Sequence, residues 1–472
     1  MIGKDTIVTL NYTMRNGRGE ILENRRTTYL HGSSPISARL QTQLEGLGTG
    51  DHRQIILKKG QDDADDDFTF EVFIDAVREA RPDELAAGRP LLPPGPPMQI
   101  HLLSGFLGSG KTTAIEQACR LLSVNGIAAA VISNDQGDRL VDGAFFEHLG
   151  IPARQVTNGC FCCNYNDLDR CILSLTGHDR PAIDHHPTDR PAIHPTTHSA
   201  IHPAILFAES VGSCTDLIAT VLKPLLQQYP GWRLTVSVFA DAGLLPDVLE
   251  GRTAFDPAVS YIYLKQLEEA QVIVVSKTDQ VGDEAALRLL LAERYPRKIV
   301  LYQNSFNSDH ILRWLQTLEQ LSSRSDDLPS LNIDYDLYGA GEAQLAWLDQ
   351  YLVIESPSLN AQAAALTLVT RMSQTKHPIG HLKCLIDDAI KISFTSTGST
   401  GHTPTYPSHI PIHPAASASL LINARIQTTP AILSELIAGA IQATEEEQGC
   451  TIRTLTASCF QPGYPRPTHR VP

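Results

Sequence analysis

The sequence predicts an α/β fold in which a P-loop NTPase domain with a mostly parallel sheet lies between two smaller domains. A glycine-rich phosphate-binding motif joins an apolar strand to a helix at residues 99–113. From residue 98 to about 330, strand and helix patterns alternate, which is typical of a parallel sheet covered by helices. The preceding segment is rich in strand patterns and the following one mixes strands and helices, so we expect a small β-rich domain and a C-terminal α+β domain.

Length, charge and hydropathy argue against several classes of protein. A chain of 472 residues predicts about three domains. The net charge of −14 argues against a nucleic-acid-binding protein, which usually carries a basic face. No apolar run reaches the roughly 18 residues that span a bilayer, and the N-terminus lacks the basic and apolar regions of a secretory signal. We therefore expect a cytoplasmic protein with neither nucleic acid nor membrane as a partner.

Residues 1–88 are predicted to form the β-rich domain. The stretches 6–12 and 68–77 alternate apolar and polar residues as strands do. Residues 89–97, with the sequence RPLLPPGPP, follow as a proline-rich linker in extended polyproline geometry. This linker marks the start of the nucleotide-binding domain, which we predict at residues 98–330.

Within residues 98–330, the predicted strands after the motif are 127–133, 204–208, 234–240, 272–276 and 298–302. The predicted helices include 113–122, 215–228, 285–293 and 309–321. Such sheets bind ligands at the carboxyl ends of their strands, which is where the phosphate-binding motif would lie. A low-complexity insert rich in His and Pro interrupts the domain at residues 178–203 and is expected to be a disordered loop.

Residues 331–472 are predicted to form the C-terminal domain. Its expected elements are a strand at 351–355, a helix at 361–374, strands at 382–394 and 420–427, a helix at 431–445 and a strand at 451–458. The order βαββαβ indicates a ferredoxin-like sandwich. A second low-complexity insert, at residues 396–414, is also expected to be a disordered loop.

The phosphate-binding motif has the pattern Gly105-x4-Gly110-Lys111-Thr112. Its backbone N–H groups would surround the phosphates, and the helix N-terminus would add a partial positive charge. As the catalytic lysine, Lys111 would contact the β and γ phosphates, and the Thr112 hydroxyl would hold Mg²⁺. The residues expected to bind the nucleotide here are Gly105, Gly108, Ser109, Gly110, Lys111, Thr112 and Thr113.

Three of the nine cysteines crowd into four positions, within the segment TNGCFCC. The thiolates of Cys160, Cys162 and Cys163 would favour Zn²⁺ and other borderline or soft metals, with Co²⁺ and Ni²⁺ also admitted. Three ligands leave the fourth tetrahedral position open, which suits a metal that is passed on. Buried free cysteines and a redox site are the alternative interpretations.

Residues at other strand ends extend the predicted site. Glu209 follows the predicted strand 204–208 and would hold the Mg²⁺ water shell or orient the attacking water. Gly212 would let the backbone approach the γ-phosphate. Asp135 closes another strand and would ligate Mg²⁺ or the transferable metal, although a turn or capping role explains it equally simply.

The motif Ser276-Lys277-Thr278-Asp279 follows an apolar strand and predicts the choice of base. Asp279 would accept from the N1–H and the exocyclic amine of guanine, a donor pair that adenine lacks, and the stem of Lys277 would cover the base plane. This would select GTP over ATP, although so short a motif also occurs by chance. The six histidines of the insert 178–203 would suit Zn²⁺, Ni²⁺ or Co²⁺, but an expanded repeat without function is the simpler interpretation.

Residues 98–472 resemble the CobW-like branch of the metal-handling GTPases, which includes UreG and HypB. The resemblance rests on GFLGSGKTT, NDQG, GCFCC, ESVG and SKTD, in the family's order, and on HLKCLIDDAIKISFTS and FQPGYPRPTHR in the C-terminal domain. It implies GTP hydrolysis coupled to delivery of a transition metal to a client metalloprotein, and related GTPases often form homodimers. Ser276 stands where the family's guanine motif usually opens with Asn.

Residues 1–88 resemble a truncated SlyD-like FKBP-type prolyl isomerase through KDTIVTLNYTM, LEGLGTGD and FTFEVFIDAVREARPDELAAG. The family's flap is replaced by the short acidic link KKGQDDADDD, and its Ile-Pro-Gly active-site segment is Ser37-Ala38-Arg39 here. We therefore expect a docking or client-binding role rather than isomerase activity.

The sequence thus predicts a GTPase that binds GTP, Mg²⁺ and a transition metal and acts as a metallochaperone or insertase. Two other functions stay open. One is a P-loop GTPase switch whose zinc site is purely structural, in which case removing zinc unfolds the domain. The other is a folding helper centred on the FKBP-like domain, in which case residues 1–88 alone catalyse X-Pro isomerisation.

Overall fold

The computed structural model describes residues 1–19, 21–32, 38–58, 67–80, 85, 98–134, 141–157, 159–176, 203–229, 231–321, 328–397, 401–405 and 412–472. The chain divides into two compact units, Met1–Gly95 and Pro96–Pro472. The Pro-rich linker 89–97 and nearly all of the insert 178–203 lie outside the described residues, so their predicted conformations are not addressed by the structure.

The first unit is a small antiparallel sheet. Its strands are β1 (Thr6–Arg15), β2 (Ile21–Leu30), β3 (His52–Leu57) and β4 (Phe68–Glu79), arranged in the order β2-β1-β4-β3, and its helix is α1 (Ala38–Leu44). Val8, Leu10 and Ile74 project from the central strands into a core that Leu44 completes. The β-rich prediction is confirmed for this region, and its likeness to FKBP-type isomerases stays a prediction.

A seven-stranded sheet forms the centre of the second unit. Its strands are β5 (Gln99–Gly105), β6 (Ala129–Asn134), β7 (Ala153–Val156), β8 (Ile205–Glu209), β9 (Arg233–Asp241), β10 (Val272–Ser276) and β11 (Ile299–Gln303). Every neighbouring pair is parallel, in the order β11-β10-β9-β5-β8-β6-β7. The inner strands are almost continuously apolar because helices cover both faces, as in a P-loop NTPase. The predicted parallel α/β fold is therefore confirmed.

The helices of this domain are α2 (Lys111–Val124), α3 (Val141–His148), α4 (Tyr165–Thr176), α5 (Lys223–Gln228), α6 (Leu245–Leu249), α7 (Pro257–Glu269), α8 (Glu284–Arg294) and α9 (Ser308–Leu321). The helix predicted at 215–228 starts later, with a π-helical turn at Ile218–Leu222 that leads into α5. Helix α7 was not predicted, because its β-branched and aromatic residues are typical of a strand. Asp256 caps its N-terminus by accepting from the N–H of Ala258 at 2.8 Å.

The C-terminal region of this unit carries helix α10 (Tyr335–Ala343) and a six-stranded antiparallel sheet. The strands are β12 (Leu345–Glu355), β13 (Ile379–Ile386), β14 (Ile390–Thr397), β15 (Gly401–Thr405), β16 (Ser417–Gln427) and β17 (Thr451–Phe460), in the order β15-β14-β13-β16-β12-β17. Helices α11 (Ala361–Ser373) and α12 (Pro430–Gln448) pack on this sheet and on each other.

Two predictions for this region were wrong in detail. The strand predicted at 382–394 is a hairpin of β13 and β14, whose turn places Asp387 and Asp388 in the left-handed region at φ 50° and 53°. A turn without glycine gave no sequence cue for this reversal. The insert 396–414 is not a disordered loop throughout, since Gly401–Thr405 pairs with β14 as an added edge strand.

The C-terminal sheet lies against the nucleotide-binding domain. Val141 of α3 is buried with Leu385 and Leu421, and its N–H donates to Asn423 Oδ1 at 2.8 Å. This contact brings strands β13 and β14 close to the phosphate-binding motif. Within the described part of the chain, none of the helices combines the length and the apolar character needed to cross a bilayer.

Candidate functional site

The phosphate-binding motif forms a loop between β5 and α2. At two positions of this loop, only glycine fits the available space. A side chain at Gly105, where φ is 125°, would place its Cβ 2.2 Å from the carbonyl oxygen of Phe239. At Gly108, a Cβ would lie 1.8 Å from Thr395 Cγ2 on strand β14. The loop is therefore packed against the neighbouring strand on one side and against the C-terminal domain on the other.

Lys111 is folded back on the loop that precedes it. Its Nζ donates to the carbonyl of Gly105 at 2.7 Å and to that of Phe106 at 3.4 Å. Burial lowers the pKa of Lys111 to about 8, and the carboxylate of Glu209 opposes the shift. A buried ammonium held by neutral carbonyls is well placed to exchange them for phosphate oxygens, which are stronger acceptors.

Thr112 and Glu209 meet at the end of strand β8. The hydroxyl of Thr112 donates to Glu209 Oε1 at 2.9 Å. The second carboxylate oxygen, Oε2, is buried and has no hydrogen-bond partner among the described residues. Burial raises the pKa of Glu209, while the ammonium groups of Lys383 and Lys111 act in the opposite direction. A threonine hydroxyl beside an unpaired carboxylate oxygen is a donor set that fits a hydrated Mg²⁺ ion.

The Ser276–Asp279 motif lies beside the loop. Ser276 Oγ donates to the carbonyl of Ser109 at 2.6 Å, which ties this motif to the phosphate-binding loop. Lys277 adopts a left-handed backbone at φ 57°, and its Nζ pairs with Asp241 Oδ2 at 2.7 Å. Lys277 and Asp279 both line the cavity described next.

A cavity of about 570 Å³ opens above the loop. From the nucleotide-binding domain it is lined by Gly108, Ser109, Gly110, Lys111, Thr112, Thr113, Glu116, Phe145, Glu209, Lys277, Asp279, Gln280 and Phe306. Gly105 does not line the cavity, but its carbonyl accepts a hydrogen bond from Lys111 Nζ. Gly212 lines a separate pocket of about 20 Å³ that also contacts Lys111 and Glu209. Most of the predicted nucleotide-binding residues thus surround one space of the size of a small-molecule site.

The remaining wall of the cavity comes from the C-terminal domain. It consists of His381, Lys383, Lys391, Ser393 and Thr395, on strands β13 and β14. None of these residues was predicted as part of the site, because they lie far along the chain and form no motif with the loop. The lysines in HLKCLIDDAIKISF are the sequence features that point to this wall.

The cysteine segment forms a tight cluster of thiols. Cys160 Sγ lies 2.8 Å from Cys162 Sγ and 3.1 Å from Cys163 Sγ, and the last two sulfurs are 3.8 Å apart. Hydrogen bonds from Cys162 and Cys163 hold the pKa of Cys160 well below its usual value. These ligand atoms are close enough to converge on one metal ion.

Asn134, at the end of strand β6, holds this cysteine segment in place. Its side-chain N–H groups donate to the carbonyls of Val156 at 2.9 Å and Gly159 at 2.7 Å, and its Oδ1 accepts from the N–H of Phe161 at 2.9 Å. Asp135, the next residue, was predicted as a metal ligand but lies outside the described residues.

A fourth thiol, which sequence reasoning missed, adjoins the cluster. The buried thiol of Cys214 lies next to Cys160 and Cys162. The neighbouring Ser213 donates to the buried carboxyl of Glu342 at 2.7 Å. Burial raises the pKa of Glu342 to about 8, and a Cys160 thiolate adds to the shift. The position of Cys214, five residues after Glu209, was the available sequence cue.

The segment at the C-terminal end of the second unit covers the cysteines. The N–H of Thr468 donates to the carbonyl of Cys162 at 2.8 Å, and its hydroxyl donates to the carbonyl of Cys163 at 2.8 Å. Arg470 pairs with the buried Asp216 at 2.8 Å, and His469 packs edge-on against Tyr165. The segment therefore fixes the backbone from which two thiols project.

Comparison with known proteins gives this site a family context. The sequence model "CobW/HypB/UreG, nucleotide-binding domain" matches residues 99–298. The zinc chaperone YjiA of Escherichia coli is 38% identical over 80 residues, which are 17% of this chain and 24% of YjiA. The zinc chaperone CobW of Pseudomonas aeruginosa is 23% identical over 223 residues, which are 41% of this chain and 52% of that protein. The matches thus span between about a quarter and half of these relatives.

Among solved structures, HypB from Helicobacter pylori in complex with nickel aligns with a TM-score of 0.34 and 15% identity, covering 50% of this chain and 92% of that one. HypB from Archaeoglobus fulgidus aligns with a TM-score of 0.31 and 16% identity, covering 48% of this chain and 91% of that one.

Proposed function

We propose that the chain is a GTP-hydrolysing metallochaperone, because residues 99–298 match the sequence model of the CobW/HypB/UreG nucleotide-binding domain. It would hold a transition metal on Cys160, Cys162 and Cys163 and deliver it to a client protein. The observation that carries the proposal is the convergence of these three thiols in the same domain as a complete phosphate-binding loop. We further propose that it acts in the cytoplasm, where such thiols stay reduced.

The nucleotide would occupy the cavity of about 570 Å³. Lys111 would leave the Gly105 carbonyl for the β and γ phosphates, and the loop N–H groups would surround them. Thr112 and Glu209 would hold hydrated Mg²⁺, which neutralises phosphate charge when bound. Glu209, one oxygen of which has no hydrogen-bond partner among the described residues, would also orient the water that attacks the γ-phosphate.

Selection of guanine would fall to Lys277 and Asp279. Asp279 would accept from the two guanine donors, and the Lys277 stem, held by its pair with Asp241, would cover the base. Ser276 supports the proposal because it anchors this motif to the phosphate-binding loop at Ser109.

The metal and the nucleotide would be linked through one short segment. Glu209 lies at the nucleotide end, Gly212 packs against Leu107 of the loop, and Cys214 lies at the thiol cluster. A movement of Glu209 on hydrolysis would therefore be transmitted to the metal ligands through the segment of five residues that leads to Cys214. Such a link would appear as a coupling free energy between the two binding sites.

A structural zinc site is the second candidate, and Cys214 favours it. Four thiols around one ion form the closed set that is typical of structural zinc, whereas three leave a position open for transfer. The two functions differ in what metal removal does. A structural site unfolds the domain when zinc is removed, and a cargo site leaves it folded.

The decisive measurement is the Zn²⁺ affinity of the full chain, obtained by competition with a chromophoric chelator in the presence of GTP–Mg²⁺ or GDP–Mg²⁺. A fivefold or larger difference between the two nucleotides is expected for a chaperone, in line with typical coupling energies. Equal affinities, together with unfolding on zinc removal, would establish the structural site instead. Cys162→Ala should abolish the stoichiometric site, whereas Cys459→Ala, on strand β17 and outside the thiol cluster, should preserve it.

A further inference from the structure

The C-terminal domain supplies two ammonium groups to the nucleotide cavity. Lys383 lies on strand β13 and Lys391 on the adjoining strand β14, and both line the cavity wall that the C-terminal region forms. Each lysine side chain is only 15% exposed. Cationic side chains with so little exposure require an anion nearby, because burying an unpaired charge is costly.

Asp142, at the start of helix α3, provides that anion. Its Oδ2 lies 2.5 Å from Lys383 Nζ and its Oδ1 lies 2.7 Å from Lys391 Nζ, so one carboxylate serves two ammonium groups. The Asp142 side chain is itself 13% exposed. The two lysines hold the pKa of Asp142 far below its usual value. By formal charge these three groups sum to +1, and the carboxylate of Glu209 lines the same small pocket.

This group lies next to the γ-phosphate end of the predicted nucleotide site. A single pocket of about 20 Å³ is lined by Lys111, Asp142, Glu209 and Lys383, together with His381. Lys277 and Asp279, which would bind the base, line only the larger cavity. Lys383 therefore lies nearer to the catalytic lysine and to Glu209 than to the base end.

Buried polar atoms at the same wall also lack partners. Among the described residues, Nε2 of His381, Oγ1 of Thr395 and Oε2 of Glu209 are buried without a hydrogen bond. All three side chains line the cavity. Buried polar atoms are normally satisfied, and a ligand that reaches this wall would satisfy them.

We propose that Lys383, with Lys391 beside it, binds the γ-phosphate of GTP, so that the C-terminal domain completes the nucleotide site. This inference rests on the proposed GTP binding and adds to it a sensor of the terminal phosphate. With GDP, Asp142 retains both lysines. With GTP, the γ-phosphate competes with Asp142 for Lys383.

The test is a comparison of two affinities in the full chain. A fluorescent non-hydrolysable GTP analogue and the matching GDP derivative are titrated, with Mg²⁺, into wild type, Lys383→Gln and Lys376→Gln. Lys376 is an exposed lysine of the same domain outside the cavity and serves as the matched control. A charge-assisted hydrogen bond predicts about a tenfold loss of GTP-analogue affinity for Lys383→Gln, with GDP affinity changed less than about twofold. Lys391→Gln should give a smaller loss of the same kind.

A second variant separates phosphate binding from folding. Lys383→Gln leaves the buried Asp142 with one cation fewer, whereas the double variant Asp142→Asn, Lys383→Gln removes both charges of that pair. The double variant should show the same selective loss of GTP-analogue affinity. An equal loss for both nucleotides, or no loss beyond that of Lys376→Gln, would overturn the inference while leaving GTP binding intact. Failure of wild type to bind either nucleotide would instead refute the proposed function.

Discussion

At the scale of single residues, Glu209 is the side chain proposed both to hold hydrated Mg²⁺ and to orient the attacking water. One of its oxygens accepts from Thr112, and the other is buried without a partner among the described residues. A carboxylate held in this way has little freedom to rotate, so its second oxygen has a fixed direction. That is what orienting a water molecule requires, and an exposed strand-end glutamate would not provide it.

Replacing this carboxylate should affect hydrolysis more than binding. Glu209→Gln keeps the shape and an acceptor for Thr112 but loses the charge and the proton-accepting ability. We expect kcat for GTP hydrolysis to fall about a hundredfold or more, with the affinity for a non-hydrolysable GTP analogue changed by less than about tenfold. Phosphate release under saturating GTP measures the first effect. Glu116→Gln, which also lines the cavity but pairs with Arg120, is the control and should retain most activity.

Lys111 should make the free energy of unfolding depend on pH. Burial lowers its pKa from 10.5 to about 8, so between these values the unfolded chain binds more protons than the folded one. Stability therefore rises with pH across this window, and below pH 8 the full cost of burying the ammonium is present. From pH 7.5 to 9.5 the gain is about 2 kcal/mol.

The measurement compares nucleotide-free wild type with Lys111→Met by chemical denaturation at both pH values. All other titrating groups are common to the two proteins, so the difference between their pH dependences isolates Lys111. Wild type should gain about 2 kcal/mol more than the variant over this window. Parallel pH profiles would show that the lysine is not desolvated in the nucleotide-free protein.

Single residues also show which parts of the candidate site the sequence can predict and which it cannot. Lys111 and Thr112 are set by one contiguous motif, and the three clustered cysteines are neighbours in the chain, so short-range spacing is enough to predict their grouping. Cys214 and Lys383 reach the same sites only through folding of distant segments. Their sequence cues alone do not predict these contacts, since the contacts depend on which strand ends and sheet faces meet.

At the scale of elements, the segment from Glu209 to Cys214 joins the two candidate binding sites. Gly212 allows its close approach to the phosphate-binding loop, since a Cβ there would lie 2.8 Å from the backbone nitrogen of Leu107. The backbone of Leu107 cannot move aside as the end of a flexible side chain would. The spacing between this segment and the loop is therefore set by the absence of a side chain at one position.

Gly212→Ala should push the segment and the loop apart. We expect GTP affinity to fall by about tenfold and stability by about 1–3 kcal/mol, as for other overpacked sites. Nucleotide titration and chemical denaturation measure the two effects. Gly282→Ala is the matched control, because a Cβ at that position meets none of the described residues within 4 Å, and it should change neither. If both variants behave alike, the close contact at Gly212 does not shape the loop.

Element prediction succeeded where the hydrophobic pattern was unambiguous. Strand β10 was predicted with the same bounds as observed, because a run of buried β-branched residues between polar ends has one interpretation. Helix α7 and the β13–β14 hairpin were missed for opposite reasons. In α7, tertiary packing overrides a strand-like composition, and in the hairpin the reversal depends on two aspartates in a conformation that glycine or asparagine usually adopts.

At the scale of the whole molecule, both candidate sites depend on contacts between regions that are far apart in sequence. The C-terminal sheet contributes His381, Lys383 and Lys391 to the cavity above the loop. The final segment contributes the contacts of Thr468 with the cysteine backbone. Both candidate sites are thus formed between the nucleotide-binding domain and parts of the C-terminal domain.

The final segment should control how quickly metal leaves the thiols. Thr468 makes two hydrogen bonds to the carbonyls of Cys162 and Cys163, so it restrains the backbone that carries two of the proposed ligands. Deleting residues 467–472 frees that backbone. We expect Zn²⁺ release to an excess of chelator to become about tenfold faster, since the two lost hydrogen bonds contribute about 1 kcal/mol each and only part of this appears in the barrier.

The deletion also removes Arg470 from the buried Asp216, so a second variant must separate the two effects. Arg470→Met breaks that ion pair and leaves the contacts of Thr468 possible. If the segment acts by holding the cysteine backbone, only the deletion accelerates release. If Arg470→Met accelerates it equally, the effect comes from Asp216, and the position of the π-helical turn after it becomes the determinant. Because a chaperone must release its metal and a structural site must not, the same stopped-flow rates also show which of the two proposed functions the thiol cluster serves.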